Sequence, residues 1–360
     1  MKSERLEFFK EFAYSILTQN RFPGSEGHKN TKGHIKSFLE YIKAGFREES
    51  FDVRLHIPQE SYIEVDGKRI ECLAYPGTPS LSTEGYVKED FLEGDIALRK
   101  GDLSMEDVEE VKQRGGIAIL TYKESLNTYH CSEMPILDLP VLSVKKGDVP
   151  EIEDYNVKLF VKSSEKIIRC SNILFEVGRG PVIYLVAHMD TSPLGYGAID
   201  NGIGFLTLLF IYEELAKSYQ RPYRLRFLIT DCGSLGFTGS KFHVRNGLKH
   251  VFYCINLDGV GWRNPCVVYE DAYGYNGQRI NDSFYKHVEE LKVKINYVSL
   301  KKAMGDHLSF KELGVESLYL SSHPFTFKNT LYDNYDAIDW DTFNMWYEVI
   351  LSFLRRFHKI

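Results

Sequence analysis

Three short, largely apolar runs stand out in the second half of the chain, at residues 182–186, 225–229 and 251–257. Each is too short for a free-standing helix and is followed closely by glycine, the pattern of a buried β-strand. Between the first two, residues 202–217 carry Ile203, Leu206, Phe210 and Leu215 at helical spacing. A shorter helical pattern covers 237–246, and a last one runs from Trp340 to His358 and is expected to pack on the sheet. Strands alternating with helices predict an α/β fold: a central, mostly parallel mixed sheet sandwiched by helices.

The pattern changes between residues 57 and 165. Helical periodicity gives way to short strand-like runs at 61–65, 94–98, 117–121 and 140–143, broken by glycine and proline. A helix is predicted at 105–114, opened by Ser104 with Asp107 three residues on, a capping pair. This divides the chain into residues 1–56, a smaller β-rich unit at 57–165 and a main unit at 166–360. There are no internal repeats, long linkers or low-complexity tracts.

The candidate chemistry lies where the predicted strands end. The first ends at Ala187-His188-Met189-Asp190-Thr191 and is followed by Gly197-Ala198-Ile199-Asp200-Asn201-Gly202; the second ends at Thr230-Asp231-Cys232-Gly233, the third at Asp258-Gly259. Open α/β sheets place their sites at the carboxyl ends of strands. The right-handed crossover rule puts His188, Asp190, Asp200, Asp231 and Asp258 on that one edge. Four carboxylates gathered there repel unless a cation or protons offset them. Imidazole and carboxylate suit Zn²⁺, and Asp190, two residues from His188, can hold the ring in one tautomer.

The ordered set His-x-Asp, Gly-Ala-x-Asp-Asn, a pair before Gly-x-x-Gly, Asn-Leu-Asp and Asp-His-x-x-Phe resembles the M28 metallo-aminopeptidases, with M20 and M42 peptidases as nearer alternatives within the same class. The opening Arg21-Phe22-Pro23-Gly24-Ser25-Glu26-Gly27 and the closing segment 329–339 resemble that family as well. The resemblance implies a metal held by His188, Asp200 and Asp258, with Asp200 bridging to a second ion. It sets Asp231-Cys232 where the family has a Glu-Glu pair, and Asn329 where it has a late His. Asp231 then manages the proton with Asp190 behind His188, and Cys232 and Asn329 form a possible second metal site. Asp231 is one methylene shorter than Glu, so its carboxylate retreats by roughly 1.3 Å against a tolerance of ~0.5 Å. Three arrangements remain open: one metal, a rebuilt two-metal site, or a site without chemistry. The intact His188 set favours one zinc.

Asp306 and His307 match a segment that lies near substrate in the family, although Asp306 could equally cap the helix that follows. Trp262, Tyr273 and Tyr275 are candidates for a substrate pocket, and His323 is a further possible ligand if its loop folds inward. The unit at 57–165 resembles a protease-associated (PA) domain, which in relatives acts as a lid or substrate guide.

Composition narrows the partners. Hydrophobic residues make up 43% and charged residues 26%, as in soluble globular chains. A net charge of −6 and no basic cluster with interleaved aromatics argue against nucleic acid. No run approaches the ~20 apolar residues of a membrane span. The first residues lack a signal-peptide core, and the six cysteines show no Cys-x-x-Cys pair, which together predict a cytoplasmic protein. Two functions follow: an aminopeptidase acting on peptides, or a catalytically impaired homologue serving as a binding or scaffold protein. Oligomeric state is not readable.

Overall fold

A computed structural model describes residues 1–218, 222–245 and 247–356. Four strands form the parallel centre of a mixed sheet, in the spatial order Glu316–Ser322, Val251–Leu257, Val182–His188, Arg224–Thr230. Antiparallel strands flank them: Pro265–Asp271 on one side, Asn156–Gly178 on the other.

Successive side chains of a strand point to opposite faces. Ile183, Leu185 and Ala187 therefore meet the helices Ser3–Leu17, Glu26–Tyr41, Ile203–Ala216 and Trp340–Arg356, whose Phe9, Phe38, Phe210 and Trp346 share that core. Val182, Tyr184 and Val186 meet Val244, Phe310 and Val315 on the opposite face. Burial on both faces is why the strands read as continuous apolar runs. Each fully buried Leu, Ile or Phe contributes roughly 1.5–3 kcal/mol. The helix expected at 237–246 spans Thr238–Val244. The expected ends at Asn246 and His358 lie outside the described residues.

The smaller unit is not hung on two loops. Strand Phe46–Val65 pairs along almost its whole length with Asn156–Gly178, from Phe46 opposite Phe175 to Glu64 opposite Lys158. Each strand thus serves two cores. Phe51, Val53 and Leu55 pack in the main unit, and Ile63 and Val65 in the smaller one. Between them lies a polar neck with a register shift at Pro58–Glu60. This neck produced the compositional break near residues 57 and 165, although the strands run through both positions. Beyond it, Ile96–Lys100, Ala118–Tyr122 and Val141–Ser143 pair in parallel. Helix Met105–Gln113 opens with the expected capping box: Asp107 N–H donates to Ser104 Oγ, and Ser104 N–H to the Asp107 carboxylate.

His130 is fully buried in this unit, against Thr121 Oγ1 at 3.1 Å, the Gly101 carbonyl at 3.0 Å and Ser143 Oγ at 3.2 Å. Burial pushes its pKa down to about 4. The unfolded chain binds a proton on this ring near pH 6.5, while the folded chain does so only near pH 4. Stability is therefore lost as pH falls between those values, by on the order of 3 kcal/mol in full. NMR titration of the imidazole should find His130 neutral at pH 5; a midpoint near 6.5 would refute this.

Candidate metal centre

The segment between His188 and Asp200 is anchored from both ends of the chain. Arg21 is fully buried, and its guanidinium donates to the carbonyls of Met189, Tyr196 and Gly197. From the closing segment, the Asp333 carboxylate accepts from the N–H groups of Ile199, at 2.8 Å, and Asp200, at 3.0 Å. Gly197 has a φ of +50°, and a Cβ there would sit 2.4 Å from the Asp200 carbonyl oxygen. These contacts explain why three segments far apart in sequence carry one site.

His188, at the end of the central strand, donates from Nδ1 to the Asp190 carbonyl at 3.1 Å. This leaves Nε2 facing the site. The Asp190 carboxylate lies 3.6 Å from Nδ1 and accepts from Gly233 N–H at 2.7 Å, Ser234 N–H at 2.9 Å and Ser234 Oγ at 2.6 Å. Asp190 thus ties the ring to the 233–235 turn as well as orienting it.

On the open side, His188 Nε2 lies 3.3 Å from Asp200 Oδ1 and 3.5 Å from Glu133 Oε1. Ligand atoms of Glu133, His188 and Asp200 fall within 4.8 Å of one another, a spacing that can hold a metal ion. His188 Nε2, Asp200 Oδ1 and Asp258 Oδ2 are buried without a hydrogen-bond partner. Orphaned polar atoms are costly in a protein interior, and a cation bound between His188 and Asp200 would satisfy two of them. The donor set fits zinc.

Lys328 supplies the remaining charge. Its ammonium lies 2.9 Å from Glu133 Oε2, 3.6 Å from Asp200 Oδ2 and 3.9 Å from Asp258 Oδ1. Burial works to lower the Lys328 pKa, but Asp200, Asp258 and Glu133 outweigh it and hold the group well above the usual lysine value. Burial, reinforced by Asp200, pushes Glu133 well above the usual carboxylate range. Burial also raises Asp258, to about 6. Asp200 goes the other way: Lys328 and His188 overcome the effect of burial and keep it ionised.

Glu133, Asp200, Asp258 and Lys328 line a cavity of ≈ 570 Å³ between the two units, and His188 lines a small recess shared with Glu133 and Asp200. Asp102, Leu103, Ser132 and Glu133 line the cavity from the smaller unit, and Leu300, Met304, Tyr319 and Phe325 from the main one.

Several expectations are corrected. Asp231 does not join His188: its carboxylate meets His28 Nε2 at 2.7 Å and Lys32 Nζ at 3.5 Å, one turn apart on helix Glu26–Tyr41, and accepts from Ser171 N–H at 2.9 Å. Cys232 turns to Cys170, with the sulfurs 3.1 Å apart, and is separate from Asn329. The residue of this turn beside His188 is Gly233, where a Cβ would lie 2.4 Å from the ring. Two Gly-x-x-Gly sequences overlap here, at 233–236 and 236–239. Gly233 and Ser234, which precede the second with Leu235 between, stand next to the site, and neither carries a carboxylate. Asn329 does border the group, in a small recess with His188 and Asp200.

Asp306 and His307 are buried behind the cavity wall. Thr230 Oγ1 donates to Asp306 at 2.9 Å, and His307 pairs with Asp271 at 2.8 Å and packs against the Tyr319 ring. Asp306 caps no helix. Trp262 stands one layer back, packed on Phe325 and Phe327 and bonded to the Pro324 carbonyl. Tyr273 and Tyr275 are exposed and absent from the cavity lining. His323 is exposed on the rim. Two residues were missed. Glu133 lies in a segment without regular structure, and its place depends on the Cys131 N–H bond to the Asn329 carbonyl at 3.1 Å. Lys328 is the immediate neighbour of Asn329, which was the one available hint.

Comparison with known proteins identifies relatives of this fold. The chain is 26% identical over 355 residues to aminopeptidase YwaD of Bacillus subtilis (strain 168), covering 88% of this chain and 76% of that protein. Its fold matches the structure of BSAP, a zinc aminopeptidase from Bacillus subtilis, with a TM-score of 0.77 at 20% identity, over 98% of this chain and 95% of that one. An aminopeptidase from Aneurinibacillus sp. strain AM-1 matches at 0.77 and 16% identity, over 98% of this chain and 93% of that one. The sequence profile of peptidase family M28 matches residues 172–354, just over half of the chain and the whole span from the central strand to the last helix. The chain belongs to peptidase family M28.

Proposed function

We propose that the protein is a metal-dependent aminopeptidase that releases N-terminal residues from peptides, with one zinc ion at the His188 site. The observation that carries this reading is the cluster of Glu133, His188 and Asp200 ligand atoms within 4.8 Å of one another, with His188 Nε2 and Asp200 Oδ1 unsatisfied, beside a cavity that Glu133, Asp200 and Asp258 line. The names of the relatives supply the reaction class, and they support hydrolysis over a scaffold role.

Residues His188, Asp200 and Asp258 would hold the ion, with Glu133 as a further ligand or neighbour. A bound zinc polarises a scissile carbonyl and lowers the pKa of a water. The protein's own groups do the rest. Asp190 keeps the His188 ring turned so that Nε2 faces the site. With Gly233 in place of an acid, Glu133 is the carboxylate placed to hold a proton on the cavity side. Leu300, Met304 and Phe325 offer apolar surface to a substrate side chain.

The smaller unit is read as PA-like, on the support of its parallel strands and capped helix, and as part of the substrate cavity through Asp102, Leu103 and Ser132. Free cysteines at all six positions support a reducing, cytoplasmic setting. Among the described residues, no helix is long and apolar enough to cross a membrane.

The test is elemental mass spectrometry on gently purified protein, followed by hydrolysis of a panel of chromogenic aminoacyl substrates. About one zinc per chain and metal-dependent turnover are expected. No ion after incubation with Zn²⁺, Co²⁺ or Mn²⁺, together with no turnover, would reject the proposal.

A further inference from the structure

Asp200 divides its two oxygens between two sides of the centre. Asp200 Oδ1 and Asp258 Oδ2 are orphaned, and Asp200 Oδ1 lies beside His188 Nε2. Asp200 Oδ2 and Asp258 Oδ1 instead face the Lys328 ammonium, at 3.6 and 3.9 Å. Glu133 is divided the same way, with Oε1 toward His188 and Oε2 toward Lys328 at 2.9 Å. The three carboxylates come from three separate parts of the fold: an irregular segment of the smaller unit, the turn after the central strand, and the end of Val251–Leu257. Glu133 and Asp200 nevertheless bridge the same two positions, and Asp258 joins them at the lysine. One position has an imidazole nitrogen and unsatisfied oxygens; the other is filled by a side-chain cation.

Resting on the reading that the His188 position takes a divalent ion, we propose that Lys328 is a tethered second cation: the centre is built for two positive charges, and the chain supplies one of them. A fixed ammonium neutralises the carboxylates in the metal-free protein and limits the centre to a single ion. It also opposes that ion. Two cations sharing bridging carboxylates repel at a separation where the protein screens poorly, so the lysine weakens metal binding while keeping the apo site folded. Lys302, on the same cavity but paired with Asp107 at 3.2 Å, faces none of these groups and serves as a control.

The experiment is a Zn²⁺ titration of chelator-stripped full-length protein against a chromophoric competitor, with thermal denaturation of the apo and loaded forms. Wild type, Lys328→Met, Lys328→Arg and Lys302→Met are compared. Wild type should bind one ion. Lys328→Met should bind its first ion at least tenfold more tightly and gain more thermal stability from zinc, while its apo form melts lower. Lys328→Arg and Lys302→Met should stay near wild type.

If apo Lys328→Met does not fold, folding restored by Zn²⁺ supports the proposal. Failure to fold even with Zn²⁺, while Lys328→Arg folds, overturns it. Two ions in wild type, or wild-type affinity in Lys328→Met, overturns it as well; neither result touches the aminopeptidase activity, although two ions would revise its single zinc. Conversely, zinc binding by Lys328→Met but not by wild type supports the tethered cation and counts against a metallopeptidase. Zinc binding by neither rejects both.

Discussion

Replacing His188 by alanine is expected to remove the bound metal and to lower kcat/KM by about a thousandfold or more. The imidazole presents Nε2 to the centre without a hydrogen bond of good geometry, 3.3 Å from Asp200 Oδ1. A metal that polarises the reacting carbonyl supplies several kcal/mol of transition-state stabilisation, and 1.4 kcal/mol corresponds to a factor of ten. Asp190→Ala should be milder, about 10–100-fold in metal affinity or activity. That residue acts on the ring through the 233–235 turn rather than on the substrate. Metal content and steady-state kinetics on both variants make the comparison. Retention of metal and turnover in folded His188→Ala would refute the assignment of the site.

The largest effect on stability is expected at Arg21. Its guanidinium is enclosed and donates to three carbonyls of the segment between His188 and Asp200. Burial lowers its pKa to about 10, which still leaves it charged at neutral pH. Arg21→Met would strand those carbonyls without donors, at roughly 1–3 kcal/mol for each group left buried and unpaired. A loss on the order of 3–5 kcal/mol in urea denaturation is expected, accompanied by weaker metal binding because Asp200 sits at the end of the same segment. Arg21→Lys should rescue little, since an ammonium cannot reproduce a planar fork of donors. A loss below about 1 kcal/mol in Arg21→Met would show that the segment holds itself.

Much of this centre was legible because its parts lie at strand ends, where local sequence and topology agree. His188 and Asp258 stand at the ends of apolar runs that read as buried strands, Asp200 lies in the turn segment after the first, and parallel strands end on one edge. Position on the edge did not decide direction. Asp231 satisfies the same pattern, yet its carboxylate goes to His28 and Lys32 on helix Glu26–Tyr41. Overlapping Gly-x-x-Gly sequences allowed two registers, and the close approach of Gly233 to the imidazole distinguishes them. Asp306 and His307 show the converse case: a matching motif whose side chains are spent on Thr230 and Asp271 behind the cavity wall.

Periodicity and strand-end chemistry by themselves determined the α/β architecture and the edge that carries the candidate site, because each depends on residues within one strand and the turn after it; the choice of His188, Asp200 and Asp258 among the five residues on that edge came from the family resemblance. The tertiary structure alone decided the rest: that the smaller unit is joined through two continuous strands, that it delivers Glu133, that Lys328 faces three carboxylates, and that Arg21 and Asp333 clamp the segment between the first two donors. These are contacts between segments far apart in sequence, most of them more than a hundred residues. No local propensity encodes them, and they exist only once the hydrophobic cores have brought the chain together.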